Sequence, residues 1–157
     1  MSIAEAIQTL PVVSLRAGTN LITEGEKLDR IHFLRSGTIE ITREGIPIST
    51  IRTPGSVLGE VSVLMQAEST ATVTTLEDST FHLAEDPVAF LTAYPEVTLH
   101  VSKLLATRLA AATNYLVDVK EQLKGCSDHV ALVDGVLDSI LHRDLKKVAA
   151  VDEDRQG

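Results

Sequence analysis

Between Val12 and Leu83 the chain consists of short runs in which apolar and polar residues alternate. Ile39 and Ile41, for example, are separated and followed by polar residues, as in a strand that buries one face. Turn residues separate the runs, and most of these turns contain a glycine, which accepts the positive φ of a tight corner. So many short strands and tight corners in one stretch predict a closely wound all-β roll.

The alternation stops at Asp86-Pro87, where signals of helix formation begin. Asp86 can cap a helix and Pro87 suits its first turn, which predicts a short helix that ends near Tyr94. Pro95 then opens a longer helix, and Gly125 ends it. Apolar residues recur along this helix in alternating steps of four and three, as in a coiled-coil seam: Leu105, Leu109, Ala112, Leu116, Val119 and Leu123. A paired helix is therefore predicted, and a helix packed on its own domain is the alternative.

A further helix is predicted from Ser127 or Asp128, since either residue can cap it and apolar residues follow along one face. The polar C-terminus lacks such a face, which is typical of a disordered tail. The predicted divisions are a β-roll with short flanking helices (1–95), a long dimerisation helix (96–125), a terminal helix (126–148) and a disordered tail (149–157).

The charge and composition restrict the partners. A formal net charge of −8 at pH 7 repels the phosphate backbone, which argues against nucleic acid. Aromatic residues make up only 3% of the chain, so few side chains are available for bases to stack on. No apolar run approaches the roughly 18 residues of a membrane helix, and Glu5 interrupts the start of the chain, where a secretory signal is uninterrupted. The single cysteine, Cys126, cannot form an internal disulfide. We expect a cytoplasmic protein without a membrane partner.

The sequence contains no recognisable set of catalytic or metal-binding residues. Its five histidines are scattered, with no His-x-x-x-His or Glu-x-x-His spacing. Nor is there a nucleophile with a base and an orienting group in a known pattern. We therefore predict that the chain is not an enzyme and has no catalytic residue, no metal site and no cofactor.

Three stretches together resemble the cyclic nucleotide-binding domain family. The stretch PGSVLGEVSVL (54–64), followed by STATV (69–73), resembles the family's phosphate-binding cassette. Upstream, LRAGTNLITEGE (15–26) resembles its opening strands, and IHFLRSGTIEI (31–41) resembles the hairpin after them. The similarity runs in register over about residues 10–124. It implies a mainly β protein with C-terminal helices, in which a jelly-roll-like β-roll of the double-stranded β-helix type carries a long helix and one further helix.

The resemblance also implies how a cyclic phosphate is held. In the family a glycine lets the backbone approach the anion, a glutamate takes the ribose hydroxyl, an arginine neutralises the phosphate, and the next residue adds a hydroxyl. Gly59, Glu60 and Thr70 stand at three of these positions. The expected ligand-binding residues are Leu58, Gly59, Glu60, Val61, Ser62, Ser69, Thr70 and Ala71, with Thr113 and Asn114 of the long helix as a polar lid.

The family's arginine is missing. Ser69 occupies its position, and Glu68 beside it adds a negative charge. A charge-assisted hydrogen bond contributes about 1.5–3 kcal/mol, so its loss lowers affinity about tenfold to more than a hundredfold. Four other basic residues are replacements in principle, although solvated surface charge is their ordinary role: Lys27, Arg30, Arg35 and Arg52.

Two functions are compatible with these observations. The first is a stand-alone sensor that binds cyclic AMP, cyclic GMP or a related anionic ligand and relays binding through its C-terminal helices. The second is a degenerate domain that has lost the ligand and serves as a protein-interaction or dimerisation module. Residues 126–157 suffice for one helix and are rich in aspartate, so we expect none of the helix-turn-helix DNA reading of catabolite-activator-type regulators. We expect a homodimer that acts on an unidentified protein partner.

Overall fold

The computed structural model describes the backbone of residues 1–154 and the side chains of residues 1–140. Within these residues the chain forms five helices and eight strands. In chain order they are α1 (Ile3–Gln8), β1 (Val12–Leu15), β2 (Asn20–Ile22), β3 (Ile31–Ser36), β4 (Ile39–Arg43), β5 (Ile46–Ile51), β6 (Val57–Leu58), α2 (Glu60–Met65), β7 (Thr72–Thr75), β8 (Ser79–Ala84), α3 (Pro87–Ala93), α4 (Pro95–Gln122) and α5 (Ser127–Asp154).

The strands form two antiparallel four-stranded sheets, with the orders β1-β8-β3-β6 and β2-β7-β4-β5. The first strand pairs with the last, and the second pairs with the second to last. Because each of these early strands pairs with a strand late in the sequence, the chain is wound into a roll. The predicted fold class, a mainly β roll with C-terminal helices, is confirmed.

The hydrophobic core lies between the two sheets, because each sheet contributes buried side chains to one cluster. β3 also buries its other face, where the Phe33 ring lies 6.0 Å from that of Phe90 in α3. Leu34 therefore points between the sheets while its neighbour Phe33 packs against a helix. The core cluster consists of Ile22, Ile39 and Val73 from one sheet and Leu34, Leu58 and Phe81 from the other.

The chain divides into two compact units, residues 1–102 and residues 103–157. The first contains the roll and α3, whose predicted cap is present: the Asp86 carboxylate accepts a hydrogen bond from the Ala89 amide at 3.0 Å. The second contains the rest of α4 and α5, which are joined by a turn at Gly125 (φ +105°) and by an ion pair between Lys120 and Asp134. None of the helices in the described residues is long and apolar enough to cross a membrane.

The predicted seam of α4 is only partly buried. Leu116 and Val119 are half-buried, whereas Leu109 is 51% exposed. Whether this seam meets a partner's helix stays a prediction. At the other end of the second unit, α5 runs on to Asp154, through residues that were expected to belong to the disordered tail (149–157). Residues 155–157 lie outside the described residues, so the disorder also stays a prediction.

Truncating the largest inward ring should show that the inter-sheet core stabilises the roll. Phe81 is 0% exposed, so Phe81→Ala leaves a cavity and should lower the free energy of unfolding by about 3–5 kcal/mol. Ile48 lies on a strand but is 59% exposed, and Ile48→Ala should cost less than about 1 kcal/mol. Urea denaturation of both variants measures the difference; equal losses would contradict the position of the core.

Candidate functional site

The candidate site begins where β6 passes into α2. Gly59 joins the two elements in the left-handed conformation, with φ +88°. A Cβ at this position would lie 3.0 Å from the carbonyl oxygen of Arg30 and 3.1 Å from Cδ1 of Leu28. Glycine is thus required twice, by the backbone conformation and by the close approach of the protein's own chain. The second requirement arises from residues far away in sequence, and the local motif alone does not reveal it.

The first turn of α2 holds two of the predicted site residues out of bulk solvent. Glu60 is 4% exposed and Ser62 is 5% exposed. The Val63 amide is the donor that bonds back to the Gly59 carbonyl, at 3.1 Å, so the amides of residues 60–62 precede the hydrogen-bonded part of the helix. Leu58, just before Gly59, belongs to the core, whereas Val61 is 45% exposed. The predicted residues 58–62 therefore lie in different environments.

Ser62 connects the cassette to two other segments. Its hydroxyl accepts a hydrogen bond from the Leu28 amide at 3.2 Å and donates one to the carbonyl of Ala67. Gln66, which ends α2, adopts a left-handed conformation with φ +52° and turns the chain back toward Ser62. Because its hydroxyl is engaged inside the protein, Ser62 shapes the loop that follows α2.

Ser69, at the position of the family's arginine, is also held by hydrogen bonds within the protein. Its amide donates to the carbonyl of Glu26 and its carbonyl accepts from the amide of Gly25, both at 2.7 Å. Its hydroxyl donates to the Ala71 carbonyl at 2.7 Å. Thr70, which comes next, is exposed. The structure therefore fixes Ser69 within its own turn and leaves Thr70 open to solvent.

One segment, residues 25–32, contacts both parts of the cassette, and we refer to it as the bridging segment. Its beginning pairs with Ser69, its middle reaches Ser62 through Leu28, and its end pairs His32 with Leu58 in the β3–β6 ladder. The predicted residues 58–62 and 69–71 are thereby brought together. Thr113 and Asn114 belong to the second compact unit, so their role as a lid stays a prediction.

His32 lies near the site, and the sequence indicated only the hairpin (31–41) that contains it. It shares the inward face of β3 with Leu34, and its ring centroid lies 6.1 Å from that of Phe81. Its Nδ1 atom is buried and has no hydrogen-bond partner among the described residues. Burial, and in second place the positive charge of Arg30, lower the pKa of His32 from 6.5 to about 4. The two-residue alternation of β3 was the available signal, since it places His32 and Leu34 on the same side.

Two basic side chains belong to the bridging segment. The Arg30 Nε atom lies 3.5 Å from Oδ1 of Asp29, and the Arg30 side chain is 53% exposed. Lys27 is exposed and stands opposite Glu68 in an antiparallel bridge. The other two candidates from the sequence, Arg35 and Arg52, lie on exposed positions outside the segment.

A surface depression of about 340 Å³ lies elsewhere on the roll, lined by Arg16 and Asp78 among others. It surrounds the pairing of Leu15 with Ser79, at the opposite end of β8 from Leu83, which pairs with His32. This depression is therefore separate from the cassette. Among the described residues, no group of three or more His, Cys, Asp or Glu side chains is arranged to hold a metal ion.

Comparison with known families identifies the family that the roll matches. The profile of the family described as "Cyclic nucleotide-binding domain" matches residues 12–84. Residues 12–84 belong to this family. The matched range contains every strand of the roll together with the cassette, so the cyclic nucleotide-binding domain and the observed β-roll coincide.

The chain is similar to parts of a protein kinase and of a transcriptional regulator. A cGMP-dependent protein kinase of Caenorhabditis briggsae is 34% identical over 76 residues, which are 48% of this chain and 10% of the kinase. A CRP-like cAMP-activated global transcriptional regulator of Mycobacterium tuberculosis is 27% identical over 124 residues, which are 75% of this chain and 55% of the regulator. The chain thus spans about a tenth and about half of these relatives' lengths.

A solved structure extends the likeness in fold beyond the roll. The catabolite activator protein of Thermus thermophilus matches with a TM-score of 0.62 and 19% identity, over 92% of this chain and 83% of that one. At this identity the match supports the fold alone. It places the cyclic nucleotide-binding domain and its C-terminal helices in a known architecture.

Two glycine substitutions separate the two requirements at Gly59. Gly18 has nearly the same φ, +81°, but open space where its Cβ would be. Gly18→Ala should therefore cost only the backbone strain, about 1–2 kcal/mol. Gly59→Ala adds the contact with the Arg30 carbonyl and should cost at least about 1 kcal/mol more. Thermal or urea denaturation gives both values; equal losses would mean that the bridging segment moves aside freely.

The burial of His32 should make stability depend on pH. Because its pKa in the folded state, about 4, lies below its ordinary 6.5, the unfolded chain takes up the proton first. This contribution to stability is complete above pH 6.5 and is lost as the pH falls toward 4. His32→Leu should flatten the stability curve in that window, whereas His129→Leu, at an exposed position, should follow the wild type. Parallel curves for all three proteins would contradict the burial of a neutral His32.

Proposed function

We propose that this cyclic nucleotide-binding domain is a regulatory sensor that binds a cyclic nucleotide at the cassette and relays binding through its C-terminal helices. The observation that carries the proposal is the Gly59-Glu60 pair, held at the β6–α2 junction by the bridging segment inside a roll of the matching family. The names of the two relatives support cyclic AMP or cyclic GMP as the ligand, since one protein is cAMP-activated and the other cGMP-dependent.

In this proposal each cassette residue has a separate task. The buried carboxylate of Glu60 accepts hydrogen bonds from the ribose hydroxyl, and the exposed Thr70 hydroxyl bonds to the cyclic phosphate. Leu58 and Ala71 line the apolar side, next to Val61. Ser62 and Ser69 hold the loop in shape through the bonds within the protein. Thr113 and Asn114 of the long helix remain the proposed polar lid.

In this proposal, the effect of ligand binding is transmitted along the C-terminal helices. The Phe90 ring of α3 contacts Phe33 of the roll at 6.0 Å, and α4 begins directly after α3. A ligand that favours one position of α3 shifts the population of positions that α4 adopts. The long helix pairs two copies, so the same shift changes what the homodimer presents to a protein partner. Such a sensor carries out no reaction and uses no cofactor.

One observation favours a second function. Ser69 replaces the arginine that neutralises the phosphate, and its hydroxyl is already bonded to the Ala71 carbonyl. A domain that has lost the ligand would retain the roll and its helices as an interaction module. The two functions differ in a measurable property, since only the sensor binds a cyclic nucleotide.

Calorimetric titration with cyclic AMP and cyclic GMP tests the proposal. We expect saturable binding of at least one of them, and Glu60→Ala should weaken it by about tenfold or more because a charge-assisted bond is lost. Leu64→Ala, at an exposed position of the same helix, serves as the matched control and should change affinity less than about threefold. Absence of heat and of thermal stabilisation at millimolar ligand would leave the interaction module as the function.

Restoring the family's arginine provides an independent test of the same site. Ser69→Arg should strengthen cyclic nucleotide binding by about tenfold to a hundredfold, because the guanidinium forms charge-assisted bonds with the phosphate. Ser69→Gln introduces a long polar side chain without the charge and should not raise the affinity. The two variants are compared by the same titration; a gain with glutamine, or none with arginine, would contradict the location of the phosphate beside residue 69.

A further inference from the structure

We propose that Arg30, in the bridging segment, supplies the positive charge that neutralises the cyclic phosphate in this domain. This inference rests on the proposed function and names the residue that takes over from the family's arginine. It arises from the packing of the bridging segment against the cassette, since Arg30 lies 39 residues before Ser69 in a part of the chain without a phosphate motif.

The ladder between β3 and β6 ends near both Arg30 and Glu60. β3 and β6 pair His32 with Leu58, and the Leu34 amide bonds to the Ser56 carbonyl at 2.8 Å, so the two segments run antiparallel in step. Beyond the ladder, the Leu28 amide bonds to the Ser62 hydroxyl at 3.2 Å. Arg30 and Glu60 lie between these two fixed points.

The contact at Gly59 brings the Arg30 backbone against the cassette. The Arg30 carbonyl oxygen would lie 3.0 Å from a Cβ at residue 59, which is closer than an ordinary van der Waals contact. No side chain at residue 59 separates the two segments. The backbone of Arg30 therefore borders the β6–α2 junction that is proposed to receive the phosphate.

The positive charge of Arg30 also affects a residue inside the roll. His32 faces inward beside Leu58, and the positive charge of Arg30 contributes to the lowering of its pKa. Glu60 is buried and Glu68 stands next to the position of the missing arginine, so both add negative charge where an anion is to bind. A cation from the bridging segment offsets this repulsion.

Arg30 is available for such a role. Its contact with Asp29 is a pair of exposed, sequence-adjacent side chains at 3.5 Å, and such surface pairs are weak. Its guanidinium matches two phosphate oxygens at once, which an ammonium does not. Lys27, the other cation of the bridging segment, is exposed and stands opposite Glu68 in an antiparallel backbone bridge.

Charge-removing variants of the full chain test the inference by calorimetry with cyclic AMP and cyclic GMP. Arg30→Gln should weaken binding of the preferred nucleotide by about tenfold or more, because a charge-assisted contact is lost. Lys27→Gln removes the same charge from the same segment and should change affinity less than about twofold. In the Ser69→Arg background the effect of Arg30→Gln should shrink, since the restored arginine then neutralises the phosphate.

The outcomes separate this inference from the proposed function. If the wild type binds and Arg30→Gln binds equally well, or if Lys27→Gln causes the loss instead, the assignment of Arg30 is wrong and the sensor remains. If the wild type binds neither nucleotide, both proposals fail. The Arg30 side chain is 53% exposed, so a thermal melt of Arg30→Gln should match the wild type and show that any loss of affinity is local.

Discussion

The contact of residues 28–34 with residues 56–62 is the constraint on which the site depends. At one end it is a β ladder, and at the other it is the hydrogen bond from the Leu28 amide to the Ser62 hydroxyl. Gly59 lies in the middle, where a Cβ would meet the Arg30 carbonyl. Because α2 begins at the next residue, this contact fixes where the helix starts and which side chains it buries. The position of Glu60 is therefore a consequence of packing as well as of the cassette motif.

The same contact explains how the loop after α2 obtains its shape. Ser62 accepts from the bridging segment and donates to Ala67, so one buried hydroxyl connects three parts of the chain. The backbone bonds of Ser69 to Gly25 and Glu26 then attach the end of the loop to the same segment. A cassette that lacks its arginine can still adopt a defined conformation, because its shape is maintained by hydrogen bonds within the protein.

The sequence predicted those features that depend on local patterns. Alternation in strands such as Ile39–Arg43 and the cap at Asp86 require only neighbouring residues, and both are present in the structure. The bridging segment could not be predicted in this way, since Leu28 and Ser62 are 34 residues apart and nothing in either local sequence specifies the other. The α4 seam was ambiguous for a related reason: an apolar stripe has the same spacing whichever surface covers it.

The charge beside the cassette differs in sign from the net charge of the chain. The chain carries a net charge of −8, yet the bridging segment places Arg30 next to the cassette. In the proposed complex, the buried carboxylate of Glu60 accepts from the ribose hydroxyl, and the nearby cation neutralises the cyclic phosphate. An acidic protein can therefore select an anionic ligand when one cation is positioned by packing.

The most direct test of the account is an NMR titration of the isotopically labelled chain with cyclic AMP and cyclic GMP. The account predicts saturable shifts concentrated at the amides of Gly59, Glu60 and Thr70 and at the Arg30 side-chain Nε. Shifts that are absent at millimolar ligand, or that concentrate around Arg16 and Asp78 at the other end of β8, would contradict it.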